Sequence, residues 1–172
     1  GKGTLIRGVL EARPDLARVA TSATTRQMRP GEVQGREYHF MTPEEFARGV
    51  EAGEFEEWVE FAGNSYGTLK REIDGILAQG NNVILELEVE GSLLIKERRP
   101  DAVLVFIDCD PDELHDRLVA RQTESSGEIA ERLRIAVEQG QERHRFDHVV
   151  VNERVDDAVA ELLELLERAL RH

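Results

Sequence analysis

Two arginines three residues apart, Arg26 and Arg29, lie in a turn-rich stretch that also carries Tyr38. An arginine presents a planar fork of N–H donors matched to phosphate oxygens, and a tyrosine hydroxyl adds a neutral donor. Such a set suits the grip of a phosphate group. A second set stands at the start of the chain, where Gly1-Lys2-Gly3-Thr4 leads into an apolar helical pattern. Glycines there let backbone N–H groups wrap phosphates at a helix N-terminus, and the lysine adds positive charge. A hydroxyl at the helix start can bind Mg²⁺. The usual hydroxyl residue after the lysine is replaced by Gly3, and Thr4 comes next. A third feature is the acidic pair Glu86 and Glu88, which alternates with apolar residues at the end of a strand-like run. Both would face one side, where a carboxylate can support Mg²⁺ through water.

The elements that must position these groups alternate between short apolar strands and amphipathic helices. A helix is expected over 4–10 and a strand over 17–20. Thr42-Pro43-Glu44-Glu45 opens a helix to about Ala52, with a threonine cap, a proline at the first helical position and a glutamate at the third. Residues 55–61 and 65–69 read as a hairpin around the turn Gly63-Asn64. Residues 82–87, 102–107 and 148–151 are continuous apolar runs, expected as buried parallel strands of one sheet covered by helices on both faces. Helices are expected over 91–97, from Asp110 to about Arg121, from the polar stretch 122–128 to about Arg143, and over 155–170. Ligands of such sheets bind beyond the carboxyl ends of the strands. The segment 21–69 breaks the rhythm and reads as an inserted, more antiparallel lobe.

The chain has 172 residues, 40% hydrophobic and 33% charged, which fits a soluble globular α/β domain. The net charge of −13 argues against a nucleic acid polymer held by its backbone. It leaves room for a small anion, since the local field matters more than the sum. No run approaches a membrane span, and no secretory signal is present, so a cytoplasmic protein without membrane attachment is expected. The single cysteine, Cys109, excludes an internal disulfide framework and packs at the end of an apolar strand. His39, His115, His144, His148 and His172 show no metal-ligand spacing with it and are read as structural. Trp58 is read as an anchor of the lobe. The first residue is Gly1, not Met, so the chain is expected to start inside a longer protein.

The stretch Ser22 to Phe40 resembles the guanylate kinase signature at Thr24, Thr25, Arg26, Arg29, Glu32, Gly35, Tyr38 and Phe40. The likeness continues through Glu57-Trp58, Gly63 to Thr68, Leu85 to Glu88, Arg121 with Thr123, Arg132-Leu133, and Val149 to Asn152, over essentially the whole chain. The resemblance implies a three-layer P-loop NTPase fold with a parallel sheet. Its core would comprise 1–20, 70–120 and 145–172, with a GMP-binding lobe at 21–69 and a helical lid at 121–144. It implies transfer of the γ-phosphoryl of ATP to GMP or dGMP, with Mg²⁺ accompanying ATP. Arg26, Arg29, Tyr38 and Tyr66 would hold the acceptor phosphate, and Ser22, Glu57, Thr68 and Glu88 would read guanine. Gly1, Lys2, Gly3, Thr4 and Asn152 would bind ATP, and Thr4 and Glu86 would serve Mg²⁺. Lys2, Arg29, Arg121 and Arg132 would act on the transferring group, the last two closing with the lid. Arg134 is read instead as a helix-surface residue with partners such as Glu138.

The chain departs from the family pattern at Glu88, Glu90 and Gln122, where Asp, Gln and Gly are usual. Guanine places N1–H and N2–H₂ side by side, which suits a carboxylate acceptor, whereas adenine would leave that carboxylate unpaired. Two other readings compete: a guanylate kinase-like scaffold module that binds phosphopeptides, and a kinase of a phosphorylated sugar. Retention of Lys2, the arginine pair and a full lid favours the enzyme over the scaffold. Glu57, Tyr66 and Thr68 favour a nucleobase over a sugar.

Overall fold

A computed structural model of the chain describes residues 1–110, 114–116, 119 and 126–170. Two compact units form, one of residues 1–14 with 103–172 and the other of residues 15–102.

In the first unit, α1 (Lys2–Ala12) begins two residues earlier than its apolar pattern suggests, with Gly1 at its N-cap. Lys2 and Gly3 therefore belong to the first helical turn. β7 (Val105–Asp108) pairs in parallel with β8 (His148–Val151), in register Val105↔His148 to Asp108↔Val151. α5 (Ser126–Gln141) and a 3₁₀ turn (Arg143–Arg145) lead into β8. The closing helix α6 (Val155–Ala169) packs its buried Ala158 and Leu162 with Leu5 and Val9 of α1. The approach is close. A Cβ added to Gly8 would lie 2.7 Å from Val159 Cγ2. An ion pair between Arg13 and Glu167 joins the same two helices.

In the second unit, β1 (Arg18–Val19) pairs in parallel with β6 (Val83–Ile84). A four-stranded sheet has the order β3-β2-β5-β4, built from β2 (Ala23–Thr24), β3 (His39–Phe40), β4 (Phe55–Phe61) and β5 (Asn64–Leu69). The β2–β5 and β4–β5 pairs are antiparallel and the β2–β3 pair is parallel. α2 (Pro43–Glu51) starts at a full capping box: Glu45 N–H donates to Thr42 Oγ1 at 3.1 Å, and Thr42 N–H donates to the Glu45 carboxylate at 2.8 Å. It covers one face of the sheet through a core of Ala23, Phe46, Phe55 and Leu69. Trp58, partly exposed, makes a T-shaped contact with Phe46, with centroids 6.3 Å apart. α3 (Lys70–Ala78) and α4 (Val89–Arg98) complete the unit.

Two expectations need correction. The run 82–87 is not a continuous buried strand. Its ladder stops at Ile84, the residues around it are half-buried, and Glu88 is already the N-cap of α4. Glu86 is exposed. Carboxylates resist leaving water, so the chain quits the ladder where they begin. The expected parallel pairing is present in both units, β1 with β6 in one and β7 with β8 in the other. Within its ladder each strand has one hydrogen-bonded neighbour, so burial is partial: β7 is half-buried and β8 fully buries only Val150. Finally, the hairpin turn lies one residue earlier, at Ala62 (φ 49°) and Gly63 (φ 78°), with Asn64 already paired to Phe61. A two-residue turn of this hand needs positive φ at both positions, which glycine adopts freely and alanine only because the ladder holds it. The expected helix from Asp110 to Arg121 falls largely outside the described residues, although 114–116 and 119 are helical.

Candidate functional site

The arginine stretch is stitched to the lobe by two threonines. Thr24 Oγ1 donates to the Ser65 carbonyl at 3.0 Å and accepts Arg26 N–H at 3.1 Å. Thr25 Oγ1 accepts Ser65 N–H at 2.8 Å. These bonds fix where Arg26 leaves the sheet. Its guanidinium lies over the rings of Tyr38 and Phe40, 5.4 and 5.6 Å from their centroids. Tyr66 stands edge-on to Tyr38 with centroids 6.1 Å apart. Arg26, Tyr38 and Tyr66 thus form one cluster, with the cation over the Tyr38 ring and Tyr66 edge-on to that same ring.

That cluster already contains an anion. Arg26 Nη1 and Nη2 donate to the two carboxylate oxygens of Glu32 at 3.1 and 2.8 Å, and Arg29 N–H donates to the same carboxylate at 2.7 Å. The Arg26 bond and the Arg29 amide hold the Glu32 carboxyl below the usual range, and Glu32 in turn raises Arg26. Burial pushes the Tyr38 hydroxyl upward, and nearby Tyr66 and Glu86 add to the rise. The Arg29 guanidinium is exposed and has no ion-pair partner among the described residues, so it is not drawn into the cluster.

The base-reading candidates meet on the same sheet face. Thr68 and Tyr66 are two residues apart on β5, and Glu57 of β4 lies opposite Thr68. Thr68 Oγ1 donates to Glu57 Oε1 at 2.7 Å, and both residues are buried, 0% and 1% exposed. Burial raises the Glu57 carboxyl above its ordinary value; the Thr68 hydroxyl and amide and the Arg98 charge oppose that rise. α4 closes over the carboxylate, since a Cβ on Gly91 would lie 3.0 Å from Glu57 Oε2. Glu88 is the N-cap of that helix, and its carbonyl accepts from Ser92 N–H at 2.9 Å. Ser22 is half-buried between β1 and β2, tied through its carbonyl to His39 N–H at 2.8 Å.

In the other unit, Gly1, Lys2, Gly3 and Thr4 form the start of α1. Gly1 sits against Asn152, whose side chain is 2% exposed; a Cβ on Gly1 would fall 2.6 Å from Asn152 Nδ2. Asn152 N–H donates to the Asp108 carbonyl at 2.8 Å, which holds it just past β8. A cleft of about 580 Å³ opens beyond the carboxyl ends of β7 and β8, against Val137 and Gly140 of α5. Arg143 and Asp108, 3.0 Å apart, form an ion pair in its wall. Arg121 and the Arg132 side chain lie outside the described residues. Arg134 is a surface residue, paired with Glu131 at 2.7 Å and with Glu138.

Sequence reasoning passed over Glu32 as a site residue and did not single out Thr24 and Thr25 beyond their motif. It also overlooked Gly91, Arg98 and Arg99. His39 is structural, as read: its Nε2 meets Glu72 Oε1 at 2.8 Å, while Glu72 also accepts Thr21 N–H at 3.2 Å.

A family model described as guanylate kinase matches residues 1–169. A guanylate kinase of Rubrobacter xylanophilus is 44% identical over 169 residues, covering 98% of this chain and 88% of the relative. One from Symbiobacterium thermophilum is 44% identical over 167 residues, covering 96% and 79%. The crystal structure of guanylate kinase from Anaplasma phagocytophilum superposes with a TM-score of 0.81 at 26% identity, covering 99% of this chain and 82% of that one.

Proposed function

The chain belongs to the guanylate kinase family, and we propose from that premise how its own side chains divide the work of an ATP:GMP phosphotransferase. The reaction moves the γ-phosphoryl of ATP onto the phosphate of GMP, or of dGMP, giving ADP and the nucleoside diphosphate. The reading rests on one observation above the rest. A buried carboxylate–hydroxyl pair, Glu57 and Thr68, shares a sheet face with Tyr66 of the Arg26–Tyr38–Tyr66 cluster.

The acceptor phosphate docks on Arg26, with Tyr38 and Tyr66 as neutral donors and Arg29 joining from its exposed position. Guanine lies along the sheet face toward Glu57. Its N1–H and N2–H₂ groups donate to the carboxylate, with Thr68, Ser22 and Glu88 completing the set. Adenine offers no such pair of donors, so it would leave a buried acceptor unpaired, the situation in which binding sites discriminate most strongly. No general base is needed, because the GMP phosphate is already anionic near neutral pH.

The ATP phosphates lie at the N-terminus of α1, where the positive end of the helix dipole and the Lys2 charge favour an anion. Asn152 and the cleft beyond β8 take the nucleoside end. Arg121 and Arg132 bring further positive charge to the transferring group with the lid, residues 121–144, and closure keeps water out. The remaining residues divide into a core and the acceptor lobe at 21–69, and the protein works in the cytoplasm. Among the described residues no cluster of three His, Cys, Asp or Glu could hold a metal by itself. Thr4 in one unit and Glu86 in the other are each exposed and would each offer Mg²⁺ a hard oxygen donor, directly or through water. When bound with ATP, the ion offsets the charge on the phosphate oxygens.

A coupled assay of ADP release with GMP, dGMP, AMP and ribose 5-phosphate tests the proposal. Turnover confined to GMP and dGMP is expected. Equal rates with AMP would remove Glu57 from base recognition, and absence of any turnover would return the phosphopeptide scaffold as the better reading.

A further inference from the structure

β4 contains a bulge next to the base-reading carboxylate. Phe55 pairs with Leu69 and Glu57 with Thr68, so Glu56 is the extra residue with no partner opposite. The consequence for side-chain direction is large, because one inserted residue changes which face every later side chain takes. In an unbulged strand Phe55 and Glu57 would share a face. Here Phe55 turns to the α2 side, where a Cβ on Gly67 would strike its ring at 2.6 Å, while Glu57 turns to the site side beside Thr68. The burial pattern shows the same break: Phe55, Glu56 and Glu57 are all buried in succession.

A buried carboxylate on the extra residue would be costly without partners. Glu56 has them, all from α4 and its end. Arg99 Nε and Nη2 donate to the two Glu56 carboxylate oxygens at 2.9 and 3.3 Å, and Nη2 also reaches Asp74 of α3 at 3.2 Å. Arg98 donates to the Glu56 carbonyl. The same helix touches Glu57 at its first turn through Gly91. One helix therefore fixes both adjacent glutamates, one by charge pairing and one by contact.

We propose that Arg98 and Arg99 are positioning residues for purine recognition, holding the bulged Glu56 so that Glu57 stays turned toward the base. Neither arginine touches substrate. Both act through the register of β4, and the inference rests on the reading that Glu57 accepts the guanine donors. Release of the clamp frees the bulged backbone at Glu56, so that Glu57 loses its fixed place beside Thr68 while the pairs from Trp58 to Phe61 keep the hairpin closed.

The test is steady-state kinetics on the full chain with GMP and with IMP, which lacks the 2-amino group, in Arg99→Leu, Arg99→Lys and Glu57→Gln, and in the Arg99→Leu/Glu57→Gln pair. Coupled neighbouring residues commonly interact by about 2- to 150-fold in such cycles. Arg99→Leu is expected to raise KM for GMP about 10-fold and to shrink the preference for GMP over IMP. The KM for ATP and the kcat at saturating GMP should stay within about twofold, a split that general loosening would not produce. Arg99→Lys should recover part of the loss. In the Glu57→Gln background Arg99→Leu should add nothing further to KM. Should Arg99→Leu fail to fold, Arg99→Lys and Glu56→Gln carry the same comparison. If Glu57→Gln raises KM but the arginine variants leave it unchanged, or multiply with it, the clamp is refuted while base reading stands. If Glu57→Gln leaves KM unchanged, the base reading itself fails.

Discussion

The two ends of the acceptor lobe handle charge in opposite ways. At the proposed phosphate end, Arg26 is countered by Glu32, which takes a bond from each arm of its fork. The carboxylate there is stabilised as an anion. At the base end, Glu57 is buried with one hydroxyl partner, and its ionised form is disfavoured. One end is preorganised by pairing, and the other is held in a state that guanine would relieve if it binds as proposed. The difference matches the chemistry of the ligand. A phosphate brings its own charge and can share an arginine, whereas a base brings only N–H donors and needs an acceptor kept away from water.

The largest expected effect comes from removing the acceptor. Glu57→Gln should raise KM for GMP about 10- to 100-fold, the worth of hydrogen bonds to a charged group at about 1.5–3 kcal/mol. The same change should stabilise the unliganded protein. A carboxyl with a raised folded-state pKa contributes stability that is full below its ordinary value and is lost as pH rises through the folded value. Glutamine does not titrate, so it avoids the loss that Glu57 suffers as pH rises through its raised folded-state value. Thermal unfolding should show a higher Tm, each 1 kcal/mol reading as about 2–4 °C in a chain of this size. Weaker binding with lower Tm would contradict the contrast between the two ends.

Next in size is Arg26→Ala, expected to raise KM for GMP about 10-fold through loss of a charge-assisted contact, with a smaller effect on kcat. Glu32→Gln should raise the same KM only about two- to fivefold, because Arg26 and the Arg29 amide lose their brace but keep their own donors. A fall in KM would show that Glu32 competes with the ligand instead of bracing the site. The smallest effect belongs to Arg134→Ala. Its pairs with Glu131 and Glu138 are on the exposed surface of α5. Neither the thermal midpoint nor KM for GMP should change measurably.

Much of this was legible in the residue order, and the reasons are local. Thr42 to Glu45 encode their own helix start, because the capping box closes within one turn. Gly63 places the hairpin to within a residue. Arg26, Tyr38 and Tyr66 are grouped by the resemblance to the family signature, since an arginine pair in a turn-rich stretch is more often a solvated loop, and the fold places the three side chains in one cluster. The bulge was not legible. Alternation along residues 55–61 puts Phe55 and Glu57 on one face, and only the distant Arg98 and Arg99 supply the partners that let the strand break step. The end of β6 was missed for a related reason: apolar residues continue past Ile84, but Glu86 and Glu88 draw the chain out of the ladder and into α4. Arg29 matched its motif, yet its guanidinium stays exposed, since only its backbone amide is tied to Glu32.

The central claim, a buried carboxylate that must be ionised to read the base, is tested most directly by the pH dependence of KM for GMP in the natural chain and in Glu57→Gln. The phosphate of GMP gains a proton near pH ~6 in both proteins, so the ratio of the two profiles isolates Glu57. The advantage of the natural chain should shrink on acidification, beginning above the ordinary carboxylate range, because a raised Glu57 accepts its proton early. A ratio that stays constant across that range would mean that Glu57 does not read the base as an anion.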